Sequence, residues 1–303
     1  MMKFTKAKKL AIKNEVLCHL FILPVILGIL LFTLTPMITS LYYSFFEYYS
    51  YDAAPTAFIG FRNFTDMFTV YAGETFSSLG VTFEYLLISL PVNLVLSFAL
   101  AMFLNKNRPG IKFFRTIYYL PVIIPAVVGG LLWSDIAKQD DGVLNYILNG
   151  LGLPSYPFYS DASTVMPTLI FMSLFNLGGS MVLWIAQLKT IPEELYEVGK
   201  LEGAGFFTRT FKITVPMCTP MIFYNLVMGV INGLQTFASV YLLRTPLNQD
   251  AMNFFVVHIY EKAFGTFTMG YACALSWLLF AIIAVLSAVM FKLSKWVYYG
   301  ESA

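Results

Sequence analysis

Five hydrogen-bonding side chains, Asn225, Asn232, Gln235, Thr236 and Ser239, recur inside one apolar run between Pro216 and Leu243. Drawn as a helix at about 100° per residue, they fall within an arc of roughly 100° on one face. Five such groups facing lipid would be expensive, so this face is expected to look into a helix bundle or a water-filled path. Uncharged amides and hydroxyls suit a neutral polyhydroxy solute, with Tyr224 or Trp277 available to stack against a ring. Hydrogen bonding between helices, with Gly229 and Gly233 permitting close approach, is the competing reading of the same stripe. The expected solute-path residues are Asn225, Asn232, Gln235 and Ser239. In FNLGGSMV, Asn176, Gly178, Gly179 and Ser180 are expected to bring helices together rather than bind a ligand.

Catalytic chemistry finds no footing. The chain has no P-loop, no GxGxxG, no HExxH and no nucleophile elbow with partners. His19 and His258 stand far apart, and Cys18, Cys218 and Cys273 show no paired spacing in the outer loops, so neither a zinc site nor a disulfide framework is expected. Glu84 is the one carboxylate within an expected span, near its outer end, where snorkelling or capping competes with a proton relay. No catalytic residue, cofactor or metal is expected. If ATP drives this protein, another polypeptide must hydrolyse it. A secondary, ion-coupled carrier stays open as the alternative, because sodium can be held by backbone carbonyls and uncharged side chains.

The elements that must position these groups are long and apolar. Of 303 residues 58% are hydrophobic and only 12% charged, outside ordinary soluble composition. Windows of about 20 apolar residues, enough to cross about 30 Å of hydrocarbon as helix, are expected near 17–41, 80–104, 113–133, 163–188, 216–243 and 269–292. Stretches such as LLFAIIAVLSAVMF are apolar on every side, which argues for helices over a barrel. The first run is too long for a signal-peptide core and lacks a cleavage site, so it is expected to stay as an anchor.

Basic residues set the orientation. With the N-terminus inside, the inner segments hold Lys3, Lys6, Lys8, Lys9, Lys13, Lys106, Arg108, Lys112, Arg115, Lys189, Lys200, Arg209, Lys212, Lys292 and Lys295. The outer ones hold Arg62, Lys138, Arg244 and Lys262, so 15 stand against 4 and both termini are expected to be cytoplasmic. The net charge of +2 is then topological and gives no reason to expect nucleic acid. YYSFFEYYSY, from Tyr42 to Tyr51, sits where the first helix leaves the bilayer and reads as an aromatic belt. Residues 1–78 are expected to carry the N-terminus, first span and outer loop. Residues 79–292 would form a five-span core with an inner loop at 190–215, and residues 293–303 a cytoplasmic tail.

That inner loop is the longest on its side. Thr190 and Glu193 match a T-x-x-E capping box, Pro192 suits a first turn, and Leu195, Val198 and Glu202 recur at helical spacing, so a short helix is expected to begin here. Gly203, and beyond it Gly205, should end it. Gly199, Gly203 and Ala204 allow close approach of a partner, and Glu193, Glu194, Glu197 and Glu202 supply anionic contacts. An interfacial helix without a partner fits the same residues.

The run EELYEVGKLEGAGFFTRTFKITVPMCTP resembles the EAA loop of binding-protein-dependent ABC importer permeases. Glu197 stands for the glutamate of that pattern and Gly203 and Ala204 for its Gly-Ala, with Ile213, Pro216 and Pro220 in register. Val198 and Gly199 replace the two alanines, Glu202 the aspartate, and Thr210 an aromatic. FIGFRNF, FFRTIYYLPVIIPAVVGGLLW, GLQTF and MGYACALSWLLFAI extend the likeness over nearly the whole chain, to the carbohydrate subgroup related to maltose and glycerol-phosphate permeases. RTPLNQ after Leu243 departs from the glycine-rich turn common there. The resemblance implies an all-α membrane protein of six transmembrane helices with the type I ABC importer permease fold. It implies a permease subunit for a sugar or sugar derivative in the cell (inner) membrane, paired with a second homologous permease. Two ATPase subunits and an extracytoplasmic solute-binding protein would complete the assembly. Glu197, Gly199, Glu202, Gly203 and Ala204 would form the coupling contact with an ATPase subunit.

Overall fold

The computed structural model describes residues 6–52, 54–106 and 108–298. Lys3, the two chain ends, and so the sequence reading of their orientation, lie outside the described residues. Among those described, regular structure is helical apart from one small hairpin. Four helices are long and apolar enough to cross a membrane: Leu17–Tyr43, Ala72–Leu104, Ala162–Leu188 and Met269–Lys292. Two further pairs qualify only as bent units. Ile111–Ile123 and Ala126–Ile136 meet at 101°, and Phe206–Met217 and Thr219–Leu234 at 69°. Counting each pair as one span gives six.

The straight span expected over 113–133 is therefore bent. Ile124 takes an extended backbone angle, ψ 124°, directly before Pro125, as the clash of a proline ring with the preceding residue requires. The fifth span is likewise interrupted. Its helix stops at Leu234 and resumes as Ala238–Leu243, with Phe237 at φ −139° and ψ −68° between them. The single 100° arc drawn from Asn225 to Ser239 does not survive this break.

The chain divides into two compact units, with crossings after Thr69, after Tyr260 and, within Met269–Lys292, after Trp277. One holds the residues up to Thr69 and Glu261–Trp277. Here Phe46–Glu47 pairs antiparallel with Ala57–Phe58, so the tyrosine-rich stretch, expected as a belt of rings, is a folded cluster. Asn63 donates to the carbonyls of Ser44 and Phe46 at 2.8 and 3.0 Å. The Trp277 indole donates to Ser40 at 3.1 Å.

The other unit holds Val70–Tyr260 and the chain from Leu278. Ala72–Leu104 is its central post. Trp184 is fully buried and its indole donates to Ser97 at 3.0 Å, while Ala101, Leu104, Met181, Leu188 and Cys218 close around it. Cβ atoms at Gly229 and Gly233 would lie 2.2 Å from Leu90 Cδ1 and 2.5 Å from Leu86 Cδ1, so Thr219–Leu234 packs against that post through its glycines. On another side Val165, Leu169, Val240, Met252, Phe254 and Val257 form a second core. Polar staples hold the loops next to it. Buried Asn145 donates to the carbonyls of Gln139 and Tyr156 and accepts from the Tyr156 amide, and Asp161 caps Ala162–Ser173 by accepting from the Ser163 amide. That amide bond holds the Asp161 carboxyl below its usual range.

Gly178 is the tightest of these approaches that involves backbone. A Cβ there would lie 2.0 Å from the carbonyl oxygen of Tyr118, whereas at Gly179 it would meet only Val122 methyls, 3.7 Å and beyond. Gly178→Ala should therefore destabilise the protein by about 1–3 kcal/mol, and Gly179→Ala should be neutral or slightly stabilising. Thermal unfolding of the two variants in detergent checks the contrast.

Candidate solute cavity and docking loop

A cavity of about 1080 Å³ lies within the second unit. Its wall is built where helices lose regularity. Pro121, Ile124 and Ala126 border it at the 101° bend, Phe175 and Asn176 in the 3-10 stretch Leu174–Asn176, and Gln235, Thr236 and Phe237 at the interruption of the fifth span. Backbone that leaves the helix within hydrocarbon exposes amides and carbonyls, and it is tolerated where protein or a water-filled cavity receives them. At the fifth-span break, the Gln235 and Thr236 amides donate to the carbonyls of Asn232 and Gly233 at 3.2 and 3.4 Å, and the Thr236 hydroxyl also reaches Asn232 O at 3.3 Å.

Polar groups reach this wall from several helices. Of the residues the sequence offered for a solute path, Asn232, Gln235 and Ser239 line this cavity. Asn225 does not: its amide donates back to Met221 O at 2.8 Å within its own helix. Tyr224 is also absent from the lining, and Trp277 belongs to the other unit. The rings at the cavity are instead Tyr85, Trp133, Phe175 and Phe237, with Trp133 edge-on to Phe175 at 4.8 Å. Sequence reasoning missed Ser89, Asn93 and Ser173, single polar residues inside strongly apolar helices. It gave the polar and small residues of FNLGGSMV to helix packing alone; Gly178 does bring helices together, but Asn176 and Ser180 line the cavity.

The inner loop forms the helix Glu193–Leu201. Its entry differs from the expected capping box. Pro192 occupies the N-cap position, no side chain bonds the helix's first amides, and the Thr190 hydroxyl instead donates backwards to Gln187 O at 2.8 Å. The exit matches expectation. Gly203 sits at φ +77°, its amide bonds Lys200 O at 3.0 Å, and the Ala204 amide bonds Gly199 O at 2.8 Å. These two bonds are a Schellman termination, which needs the left-handed conformation that glycine adopts without strain.

One face of this helix is anchored. Gly199 is buried, with room for a Cβ only at 3.1 Å from Ile213 Cδ1, and the Tyr196 hydroxyl pairs with Thr214 at 3.0 Å. Gln187 donates to Met217 O at 3.1 Å, tying the loop's start to its end. The other face is open to solvent: Glu193, Glu194, Glu197 and Glu202 surround Val198 and Leu201, the latter 89% exposed. Gly203 has nothing within 4 Å of a built Cβ, and Ala204 is half-buried. The arrangement is an acidic rim around an apolar knob, held rigidly on the base of the fifth span.

Residues 93–298 match the family described as binding-protein-dependent transport system inner membrane component. The chain is 36% identical over 295 residues to the probable ABC transporter permease protein YesP of Bacillus subtilis, covering 95% of this chain and 93% of that one. It is 29% identical over 259 residues to the diacetylchitobiose uptake system permease protein NgcF of Streptomyces coelicolor, covering 80% and 72%. A crystal structure of a bacterial alginate ABC transporter with an alginate pentasaccharide-bound periplasmic protein contains a chain of the same fold. It superimposes with a TM-score of 0.83 over 94% of this chain and 96% of that one, at 23% identity.

Gly203→Val places a β-branched residue in the left-handed region, a cost of about 1–2 kcal/mol. Amide exchange in a peptide spanning 199–206 should accelerate by about 5–30-fold, with exchange around Trp184 unchanged. Gly203→Asn should show a smaller effect. Hydrogen-exchange mass spectrometry of the purified protein measures both.

Proposed function

The chain belongs to the family of binding-protein-dependent transport system inner membrane components, and we propose that it forms the membrane path of an importer for a sugar or sugar derivative. It is a permease subunit and not an enzyme; ATP hydrolysis sits on a separate subunit. An ion-coupled carrier working alone gains no support from this membership. The saccharide reading rests on the cavity, whose lining carries amides, hydroxyls and aromatic rings. It draws further support from a relative named for diacetylchitobiose uptake.

The assembly we propose has a second homologous permease, two ATPase subunits inside and a solute-binding protein outside, with both termini cytoplasmic. The observation that carries the coupling role is the anchored helix Glu193–Leu201, with Glu197 and Leu201 exposed on one face and Tyr196 bonded to Thr214 on the other. Glu197, Glu202, Gly203 and Ala204 make up this contact, while Gly199 supports it from the buried face, packed against Ile213. ATP binding draws the ATPase pair together, the docked helix follows, and its anchorage transmits the movement to the fifth span. The cavity then turns from one side of the membrane to the other, driven by docking that differs between two states.

Glu197→Lys and Gly203→Phe should each lower solute-stimulated ATP hydrolysis and uptake by at least about tenfold, equivalent to about 1.4 kcal/mol of lost contact. The permease pair should still form. Stimulated turnover and retained ATPase subunits in purified complexes test this, and unchanged values in both variants would remove the coupling role. Asn232→Leu should impair uptake with ATPase subunits retained; loss of assembly instead would make the polar stripe packing glue.

A further inference from the structure

Asn93 lies at the cavity wall and its hydrogen bonds leave it with one unused function. Both amide protons are committed, to Ser89 O at 2.8 Å and to Ser173 Oγ at 2.8 Å. A backbone carbonyl can only accept, so the nitrogen of the amide must face Ser89 and the orientation of the group is fixed. Ser173 in turn spends its own proton on Ile170 O at 2.6 Å. What Asn93 itself leaves open at this point of the wall is its side-chain carbonyl, an acceptor; the Tyr85 hydroxyl lies beside it, bonded to Ser173 and Ser89.

We propose that Asn93, held by Ser89 and Ser173, is a solute-contacting and specificity-determining residue whose side-chain carbonyl accepts a hydrogen bond from a saccharide hydroxyl. The inference rests on the saccharide reading given above and assigns it a residue. A hydroxyl donor satisfies the carbonyl; a ligand offering only acceptors does not. Rings suited to the apolar faces of a sugar, Tyr85 and Trp133, border the same cavity. No Asp, Glu, Lys, Arg or His lines it among the described residues, so this chain meets the solute through neutral hydrogen bonds and ring faces. The volume, about 1080 Å³, reaches the upper end of the roughly 300–1,000 Å³ usual for small-molecule sites and has room for more than one sugar ring.

The test uses the complete transporter in proteoliposomes with its binding protein. The probes are radiolabelled maltotriose, N,N′-diacetylchitobiose and trigalacturonate. Uptake of none of the three would sink the saccharide reading itself, and this inference with it. For a probe that is taken up, Asn93→Leu should reduce uptake by about tenfold or more, with subunit content unchanged. Equal uptake by an assembled Asn93→Leu complex would overturn the proposal. If that variant fails to assemble, Asn93→Cys in a background lacking Cys18, Cys218 and Cys273 decides the matter. Saturating probe should slow its modification by a water-soluble thiol reagent about tenfold, and an unchanged rate would overturn the proposal.

Discussion

Inside a bilayer a polypeptide has no water to satisfy its amides and carbonyls, so it is held to unbroken helix wherever it faces lipid. The departures from helix therefore mark where lipid is absent. In this protein two departures, at Ile124–Pro125 and at Gln235–Phe237, border one cavity, and the 3-10 turn Leu174–Asn176 within Ala162–Leu188 borders it as well. Polar side chains on regular helices nearby, Ser89, Asn93 and Asn232, open on the same space. The cavity built this way is lined, among the described residues, without a charged side chain.

The same constraint links the cavity wall to the inner loop. The chain runs from the Schellman turn at Gly203 through Phe206–Met217, bends by 69° at Cys218, and continues as Thr219–Leu234 to the break at the cavity. Glycine contacts at Gly229 and Gly233 hold the upper segment close against Leu90 and Leu86, and Tyr196–Thr214 holds the lower one to the helix Glu193–Leu201. Near the bend the Tyr298 amide donates to Thr219 at 2.8 Å and Phe223 packs on Phe291, which braces the corner. Two rigid segments joined at a braced corner suit the transmission of a movement from the inner surface to the cavity wall.

Much of this was legible in the sequence. Span count follows from apolar length, and the termination at Gly203 follows from a glycine after an amphipathic turn. The bends were harder. Pro125 advertised the first, but hydropathy averages over a window and draws a straight span across it. Nothing in LQTFAS compels the second, since Gln235 and Phe237 are tolerated within helices; the break depends on tertiary contacts such as Gly130 against Ser239 and Leu242. Asn93 and Ser173 escaped for a related reason. A lone polar residue in an apolar helix carries no periodicity, and only the fold brings the two together across 80 positions. Thr190 shows the reverse error, in which a capping pattern is present but Pro192 takes the cap position and the hydroxyl turns back to Gln187.

The central claim is that the fifth-span break opens on water rather than on lipid or packed protein. It is tested most directly by comparing single cysteines at two adjacent positions, Leu234→Cys and Gln235→Cys, in assembled transporter lacking native thiols. Leu234 is fully buried and Gln235 lines the cavity. The account predicts that a small water-soluble thiol reagent modifies the Gln235→Cys protein at least about tenfold faster, since a thiolate must meet solvent to react. Equal, slow modification at both positions would contradict it.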